Sequence, residues 1–386
     1  MNAVTKAATP AANKPRPLWL RILRGLMWTL TFVGMTVFIL ASYAGHFSPG
    51  SFKYGSLLLL AYPIIVLCFL GVGLLDLLIC RRAFLLWIVA FAACLSPLWD
   101  FCPLNIGTPS VDEEESRHVF RFMTYNVAAF SNFTDKYPGD CNPTISYIIN
   151  SGADVVNLQE VYGFFTSEVT HITAAQLDSL HRTYPYVLLG SANMAFLSKY
   201  PAEIVESPWP YQNGNGVAVF RVDVDGRPVT VFDVHLQSYN LSDTDKNLFH
   251  DLTEMAVTTD KSLVKEVKSR LLSKIQRAAV GRAADTHALG ELIHRYGGPN
   301  VIVAGDFNDV PGCYALYTLE DFNLRQVYPR VGFGPMITYN SNRFYFRIDH
   351  VLTRGDLKPL AMWRGDIRSS DHYPVFVDFT LKSDSK

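Results

Sequence analysis

The sequence predicts an α+β sandwich carried behind three membrane-crossing helices. Three observations predict it. The first hundred residues hold three long apolar runs. The remainder alternates short apolar segments with longer helix-like ones. Those short segments end, again and again, on a carboxylate, an amide or a histidine.

The first run, Gly25 to Ala44, is uncharged and long enough to cross a hydrocarbon core of about 30 Å as a helix. Leu57 to Cys80 is the second, interrupted only by Asp76, and Ala83 to Trp99 is the third, at the short limit for a crossing. The expected organisation is a cytoplasmic tail over 1–17, a membrane segment over 18–100 with spans at 25–44, 57–80 and 83–99, a linker over 101–117 and a soluble domain over 118–386. A cleaved signal peptide is the rival reading of the first run, because Ser42-Tyr43-Ala44 offers small residues at cleavage positions. The run is longer than a signal core, and two more follow it.

Basic residues set the expected orientation. Lys6, Lys14, Arg16, Arg21 and Arg24 precede the first run, and Arg81 and Arg82 lie between the second and third. Both groups belong in the cytoplasm, so three crossings leave everything after Trp99 outside. Asp76 has two readings: a carboxylate leaning toward Arg81 or Arg82 at the interface, or a functional intramembrane acid. The tract 102–116, with two prolines, a glycine and the acidic run Asp112–Glu115, reads as linker.

Strands are expected at Val119–Val127, Val155–Leu158, Val217–Val224, Val229–His235, Val301–Ala304 and Pro374–Phe379. Helices are expected over Thr166–Leu180 and Lys261–Tyr296, and Gly-Arg-Pro near residue 227 marks a hairpin turn. Many strands with few interposed helices imply packed sheets flanked by helices. After residue 110 acidic residues outnumber basic ones, which argues against gripping nucleic acid through many phosphates. The 6 cysteines include no CxxC pair, so small buried or surface thiols are expected. A Cys141–Cys313 bridge stays open only for an oxidising compartment.

The chemistry lies in the segment ends. Phe122-Met-Thr-Tyr-Asn126 ends on Asn126, Asp154-Val-Val-Asn-Leu-Gln-Glu160 on Glu160, and Thr230-Val-Phe-Asp-Val-His235 on His235. Ile302-Val-Ala-Gly-Asp306-Phe-Asn308 ends on Asp306 and Asn308, and the pairs Asp349-His350 and Asp371-His372 follow. Taken singly, a strand-end Asp or Asn is more often a turn residue or a helix cap. Six such elements in one domain carry more weight. Residues two apart in a strand share a face, so Asp306 and Asn308 can point into one site.

In these elements (TYN, LQE, HL, GDFND, IDHV and SDHYPV, in that order) the chain resembles the endonuclease/exonuclease/phosphatase family over about residues 118–380. The resemblance implies a four-layer αββα sandwich of the deoxyribonuclease I-like kind. It also implies a membrane-anchored bacterial member; with the orientation set by the basic residues, the expected site is the inner membrane with the catalytic domain on the extracytoplasmic side.

By matching motif, Glu160, Asn126 and Asp371 are expected to hold a divalent cation. Carboxylate and amide oxygens suit Mg²⁺ (or Mn²⁺) better than zinc. His372, oriented by Asp349, is expected to activate water. Asp306 and Asn308 should hold the nucleophile and the phosphate, and His235 should bind phosphate or assist the leaving oxygen. The implied activity is hydrolysis of a phosphoester in nucleic acid or a phospholipid headgroup. His235-Leu-Gln-Ser departs from abasic-site endonucleases, and Ala304-Gly-Asp-Phe-Asn-Asp309 departs from inositol-polyphosphate 5-phosphatases. Two readings stay open for Leu241–Tyr296, a substrate lid or helices covering a sheet. The alternative from another class is a catalytically inactive family member serving as a membrane-attached binding module; a transporter with a regulatory domain finds little support in three short runs.

Overall fold

The computed structural model describes residues 17–107, 119–130, 141–162, 172–206, 215–239, 261–341 and 344–381, with only the backbone described over 261–268. The expected tail except its last residue, positions 108–117 of the linker, positions 166–171 of the predicted helix Thr166–Leu180 and positions 241–260 of the proposed lid lie outside the described residues.

The chain divides into two compact units, residues 1–40 with 62–94 and residues 41–61 with 95–386. The first holds helices α1 (Leu18–Ser42, extending to the unit's edge), α3 (Tyr62–Ile79) and α4 (Arg81–Ala93). Phe38 stacks on Phe69 with ring centroids 4.4 Å apart, and Trp87 donates its indole N–H to the Phe69 carbonyl at 2.7 Å. Large apolar side chains are exposed along all three helices: Ile22, Leu26, Phe32, Ile64, Leu67, Leu74 and Val89 face outward, as a lipid-facing helix requires.

The second and third apolar runs are each broken. Pro63 and Pro97 have no N–H and clash with the carbonyl four residues back. The second run therefore splits into α2 (Gly55–Leu60) and α3, and the third into α4 and α5 (Leu95–Phe101), bent by 59°. Among the described residues two helices are long and apolar enough to cross a membrane, or three if the bent pair acts as one. Asp76 is fully buried and accepts a 2.6 Å hydrogen bond from Thr31 Oγ1, so it points at α1 and does not lean toward Arg81 or Arg82.

The second unit is built on two six-stranded sheets. One runs β13 (Leu357–Arg364), β14 (Val375–Leu381), β1 (Val119–Asn126), β2 (Val155–Gln159), β4 (Ala195–Ser198), β3 (Tyr186–Leu189). The other runs β5 (Ala202–Glu206), β6 (Gly216–Val224), β7 (Arg227–His235), β8 (Asn300–Asp306), β12 (Asp349–Arg354), β9 (Arg325–Gln326). The pairs β1–β2 and β7–β8 are parallel and the others antiparallel. A small hairpin, β10 (Tyr339–Ser341) with β11 (Phe344–Phe346), stands apart.

Three cores follow from the period-2 alternation of the strands. Phe120, Phe122, Val155, Phe196, Phe220, Val231, Ile302, Val351 and Val377 fill the space between the sheets. Met123, Tyr125, Val156 and Leu158 face α6 (Pro143–Asn150) and α7 (Ala174–Thr183) through Ile145, Ile148 and Leu180. Phe232, Val234, Val301 and Val303 face α8 (Lys261–Tyr296) and α9 (Tyr314–Glu320) through Leu289, Ile293, Leu316 and Leu319. The result is the four-layer αββα sandwich. Every predicted strand is present within two residues of its expected ends, and the long helix spans the predicted Lys261–Tyr296.

The outer core of the second sheet has one contributor that local pattern did not reveal. Ala44 and Leu59, from the segment between α1 and α3, are buried in it. The approach is close: a Cβ at Gly45 would run into the Gly312 carbonyl. The end of the third run is docked as well. Trp99 Nε1 and Asn105 Nδ2 donate to the Pro329 carbonyl at 2.8 and 3.2 Å, and Arg347 donates to the Asp100 carbonyl. All six cysteines are free, with Cys313 buried and Cys141 exposed, so no Cys141–Cys313 bridge forms.

Candidate active site

Along each central strand the residues facing the other sheet change from apolar to polar toward one end. On β1 they run Phe122, Thr124, Asn126; on β7 Val231, Asp233, His235; on β8 Ile302, Ala304, Asp306; on β12 Val351 then Asp349. Register brings the polar ends together, since Asp306 pairs with His235 across the parallel ladder and with Asp349 across the antiparallel one. The chain then leaves the sheets through strained turns. Glu160 has φ 56° and Asn308 φ 51°, a region that few non-glycine residues occupy without a supporting structure. Gly305 is required where it stands, because a Cβ would overlap the backbone of Val234.

Asn126 lies at the centre. Its Nδ2 donates to Glu160 Oε1 and to Asp306 Oδ2, both at 3.1 Å, while its Oδ1 accepts from the Ala128 N–H at 3.1 Å. In this orientation it bridges two carboxylates through its amino group. His235 Nε2 lies 3.6 Å from Glu160 Oε1 and 3.7 Å from Asp306 Oδ2. On the other side, both Asp349 oxygens face His372 Nδ1, at 3.0 and 3.2 Å, and His372 Nε2 lies 3.5 Å from Asp306 Oδ2. Asp306 Oδ1 accepts the Asn308 N–H at 2.8 Å, and Asn308 Nδ2 donates to the Leu236 carbonyl at 3.0 Å. Asn308 thus ties the ends of β7 and β8 together.

The electrostatics follow from burial. Burial pushes Asp306 up to about 6, with neighbouring Asp349 adding to the rise and His372 and His235 opposing it. Burial alone would lower His372, but Asp349 and Asp306 more than offset it and hold the imidazole well above its ordinary value. His350, the other histidine of an Asp-His pair, faces away. Its Nε2 is 2.9 Å from the Asp309 carbonyl, its ring meets Phe307 edge-on at 5.4 Å, and burial drives its pKa down to about 3.

Of the eight residues singled out in the sequence, the polar contacts described above join seven: Asn126, Glu160, His235, Asp306, Asn308, Asp349 and His372. Asp371 is half-buried beside them; Ser370 Oγ donates to its Oδ1 at 3.4 Å and to the Asn126 carbonyl at 2.8 Å. Asp306, Asp349 and His372 also present ligand atoms within 4.8 Å of one another. In that trio His372 Nδ1 is already engaged by Asp349, which leaves only Nε2 to face a cation. Glu160, whose side chain is 32% exposed, is the carboxylate open to a cation and its waters.

Sequence reasoning missed three supports. Thr338 Oγ1 accepts the N–H groups of Ile348 and Asp349, Ser370 Oγ accepts the His372 N–H, and the Tyr339 ring meets His372 edge-on at 5.0 Å. A serine one residue before Asp371-His372 was a visible signal; Thr338 and Tyr339 carried none.

A paired-sheet sandwich with carboxylates, amides and histidines gathered at one end of its inner layer defines the deoxyribonuclease I-like class of phosphoester hydrolases. The sequence model of the endonuclease/exonuclease/phosphatase family matches residues 123–372, and the chain belongs to that family. Similar solved structures include an endonuclease/exonuclease/phosphatase family protein from Bacteroides thetaiotaomicron, at 15% identity over 68% of this chain and 98% of that one, TM-score 0.43. Another is an endonuclease/exonuclease/phosphatase from Beutenbergia cavernae, at 19% identity over 69% and 72%, TM-score 0.43. A beta toxin mutant from Staphylococcus aureus with bound magnesium ions matches at 17% identity over 68% and 99%, TM-score 0.39. Among curated protein sequences none matches significantly.

Proposed function

We propose that the chain is a membrane-held, Mg²⁺- or Mn²⁺-dependent phosphoester hydrolase whose catalytic domain works on the extracytoplasmic side, on a phosphoester of nucleic acid or of a phospholipid headgroup. The observation that carries the chemistry is the unbroken line Asp349–His372–Asp306–Asn126–Glu160, each neighbour within 3.5 Å of the next. Asp349 orients the His372 ring through Nδ1, which leaves Nε2 to hold or pass a proton where water would attack phosphorus. Asp306, beside that Nε2, aligns the attacking water. His235 faces the same carboxylates from the far side and is placed to bind a phosphate oxygen or protonate the leaving oxygen.

The donor set fits a hard cation: Glu160 and Asp371 offer carboxylate oxygens at the partly open edge, and Asn126 contributes its oxygen only if its amide reverses. A divalent ion held there supplies positive charge for the phosphate oxygens. An inactive binding module has no use for this arrangement, in which buried groups of opposite sign are held at considerable desolvation cost.

The side of the membrane is supported by packing. The segments 41–61 and 95–107 both belong to the catalytic unit. If α1 and α3 cross, the first segment lies opposite the N-terminus. The second can join it only if α4 brings the chain back across, which agrees with the basic residues at Arg21, Arg24, Arg81 and Arg82.

The purified full chain should be assayed against plasmid DNA, RNA, sphingomyelin, phosphoinositides and a chromogenic diester. Turnover of at least one with Mg²⁺ or Mn²⁺, abolished by EDTA, is expected; full activity in EDTA, or none on the whole panel, would overturn the reading. C-terminal fusions to alkaline phosphatase and to a fluorescent protein that matures only in the cytoplasm should give enzyme signal without fluorescence.

A further inference from the structure

Two arms of the site leave the second sheet side by side: the end of β7, which carries His235, and the turn Asp306–Asp309. Beyond them lies a buried cluster that touches no reacting atom. Arg282, in the middle of α8, is 1% exposed. Its Nε donates to Asp309 Oδ2 at 3.0 Å and its Nη1 to the Gln237 carbonyl at 3.1 Å. Its guanidinium lies 4.3 Å from the Tyr239 ring centroid, and the Tyr239 hydroxyl donates to the other oxygen of Asp309 at 3.2 Å. Near the next turn of α8, Asp285 accepts the Gln237 N–H at 3.0 Å. Gln237 is therefore gripped at both its N–H and its carbonyl, and Asp309 at both its oxygens.

Those two residues sit next to the working ones. Gln237 is two residues beyond His235, and Asp309 follows Asn308. Nearer the sheet the arms are joined by Leu236 N–H to Asp306 O at 2.9 Å and by Asn308 Nδ2 to Leu236 O at 3.0 Å, and farther out by the Tyr239–Asp309 bond. A planar guanidinium with donors in a fixed fork can hold two acceptors at set distance and angle, which an ammonium cannot do. Ala44, Gly45, Phe52, Gly55 and Leu59 close over Arg282 and Asp309 around a cavity of about 10 Å³. In so enclosed a place the charge-assisted bonds are strong and their geometry stiff.

We propose that Arg282 is a positioning residue: it locks the His235 arm and the Asp306–Asp309 turn into one frame, with the segment 41–61 as the roof over this lock. The proposal deepens the hydrolase reading and rests on it for the catalytic consequence. The mechanical consequence is independent of it.

The test uses the full chain in detergent or nanodiscs. Arg282→Met alone leaves a buried unpaired carboxylate and risks misfolding, so the informative variant is the double Arg282→Met/Asp309→Leu, which removes both charges while filling the same space. Arg282→Lys is the conservative partner. Peptide hydrogen exchange, thermal melting and kcat and KM on a chromogenic diester are read for each. The double variant should melt within a few degrees of wild type, exchange at least about tenfold faster in peptides covering 234–239 and 305–310 alone, and lose at least about tenfold in kcat with KM changed less than about threefold. Arg282→Lys should restore part of the protection and part of kcat. Wild-type exchange in both peptides, or faster exchange spread over all strands, overturns the proposal. If wild type turns over none of the substrates, the hydrolase reading fails, and the exchange result still decides the role of Arg282.

Discussion

The layer between the two sheets has two ends of opposite character. At one end Phe120, Phe379, Val224 and Leu381 pack as an ordinary apolar core. At the other, Asn126, His235, Asp306, Asp349 and His372 are almost as deeply buried, yet every one is polar. The same strands serve both ends, so backbone and burial do not distinguish them. What differs is how each burial is compensated: the apolar end by removal of surface from water, the polar end by a chain of hydrogen bonds and opposed charges. Stability and activity should therefore separate along the strands.

The largest effect is expected near the middle of the apolar layer. Phe220 is fully buried and stacks on Phe196 at 4.7 Å between centroids, joining the two sheets. Phe220→Ala should cost about 3–5 kcal/mol in denaturant unfolding, with turnover per folded molecule unchanged. A selective loss of turnover would break the comparison.

At the polar end, His372→Ala and Asp306→Asn should each lower kcat by at least about a hundredfold, or ~2.7 kcal/mol of barrier. Melting should stay within a few degrees. His350→Ala, on the other face of β12, should spare kcat far more than His372→Ala; the reverse ranking would mean that the two Asp-His pairs have been misassigned.

Thr338→Val is a smaller probe of the same end. It removes the oxygen that accepts the Ile348 and Asp349 N–H groups and should cost about 1–2 kcal/mol in stability. A loss of about tenfold in kcat should accompany it, because Asp349 is no longer fixed. Unchanged kcat would confine Thr338 to a structural role.

The smallest effect sits midway, where Gln159 Nε2 donates to Asp233 Oδ1 at 2.5 Å. Burial raises Asp233 well above the ordinary carboxylate value. Its stability contribution is fully present below the unfolded pKa near 3.8 and is lost as pH rises toward the folded one. Asp233→Asn keeps the acceptor and removes the titration. It should raise the melting temperature at pH 8, and the gain should vanish near pH 4. A gain independent of pH would show that Asp233 is not neutral in the fold.

Much of this was written in local pattern. Period-2 alternation located the strands, and the polar residue at each strand end located Asn126, Glu160, His235, Asp306, Asp349 and His372. Local pattern was silent where a residue's role depends on a distant partner. Arg282 reads as one more basic residue of an amphipathic helix, and nothing near Thr338 in sequence reveals that it caps two amides. Pro63 and Pro97, inside the second and third apolar runs, are helix breakers whose signal the length of those runs concealed. Ala44 and Leu59 fell inside the expected spans 25–44 and 57–80, because their burial depends on a surface assembled from residues far downstream.

That last feature has a kinetic side. Ala44 and Leu59 are synthesised before every strand of the sheet, and their neighbours Gly312 and Ala315 come far later in the chain. Closing so long a loop carries an entropic cost that only late contacts offset. Until it closes, the part of the second sheet's outer core nearest Gly312 and Ala315 lacks its cover. The domain is therefore complete only when this early segment meets a surface made much later in the chain.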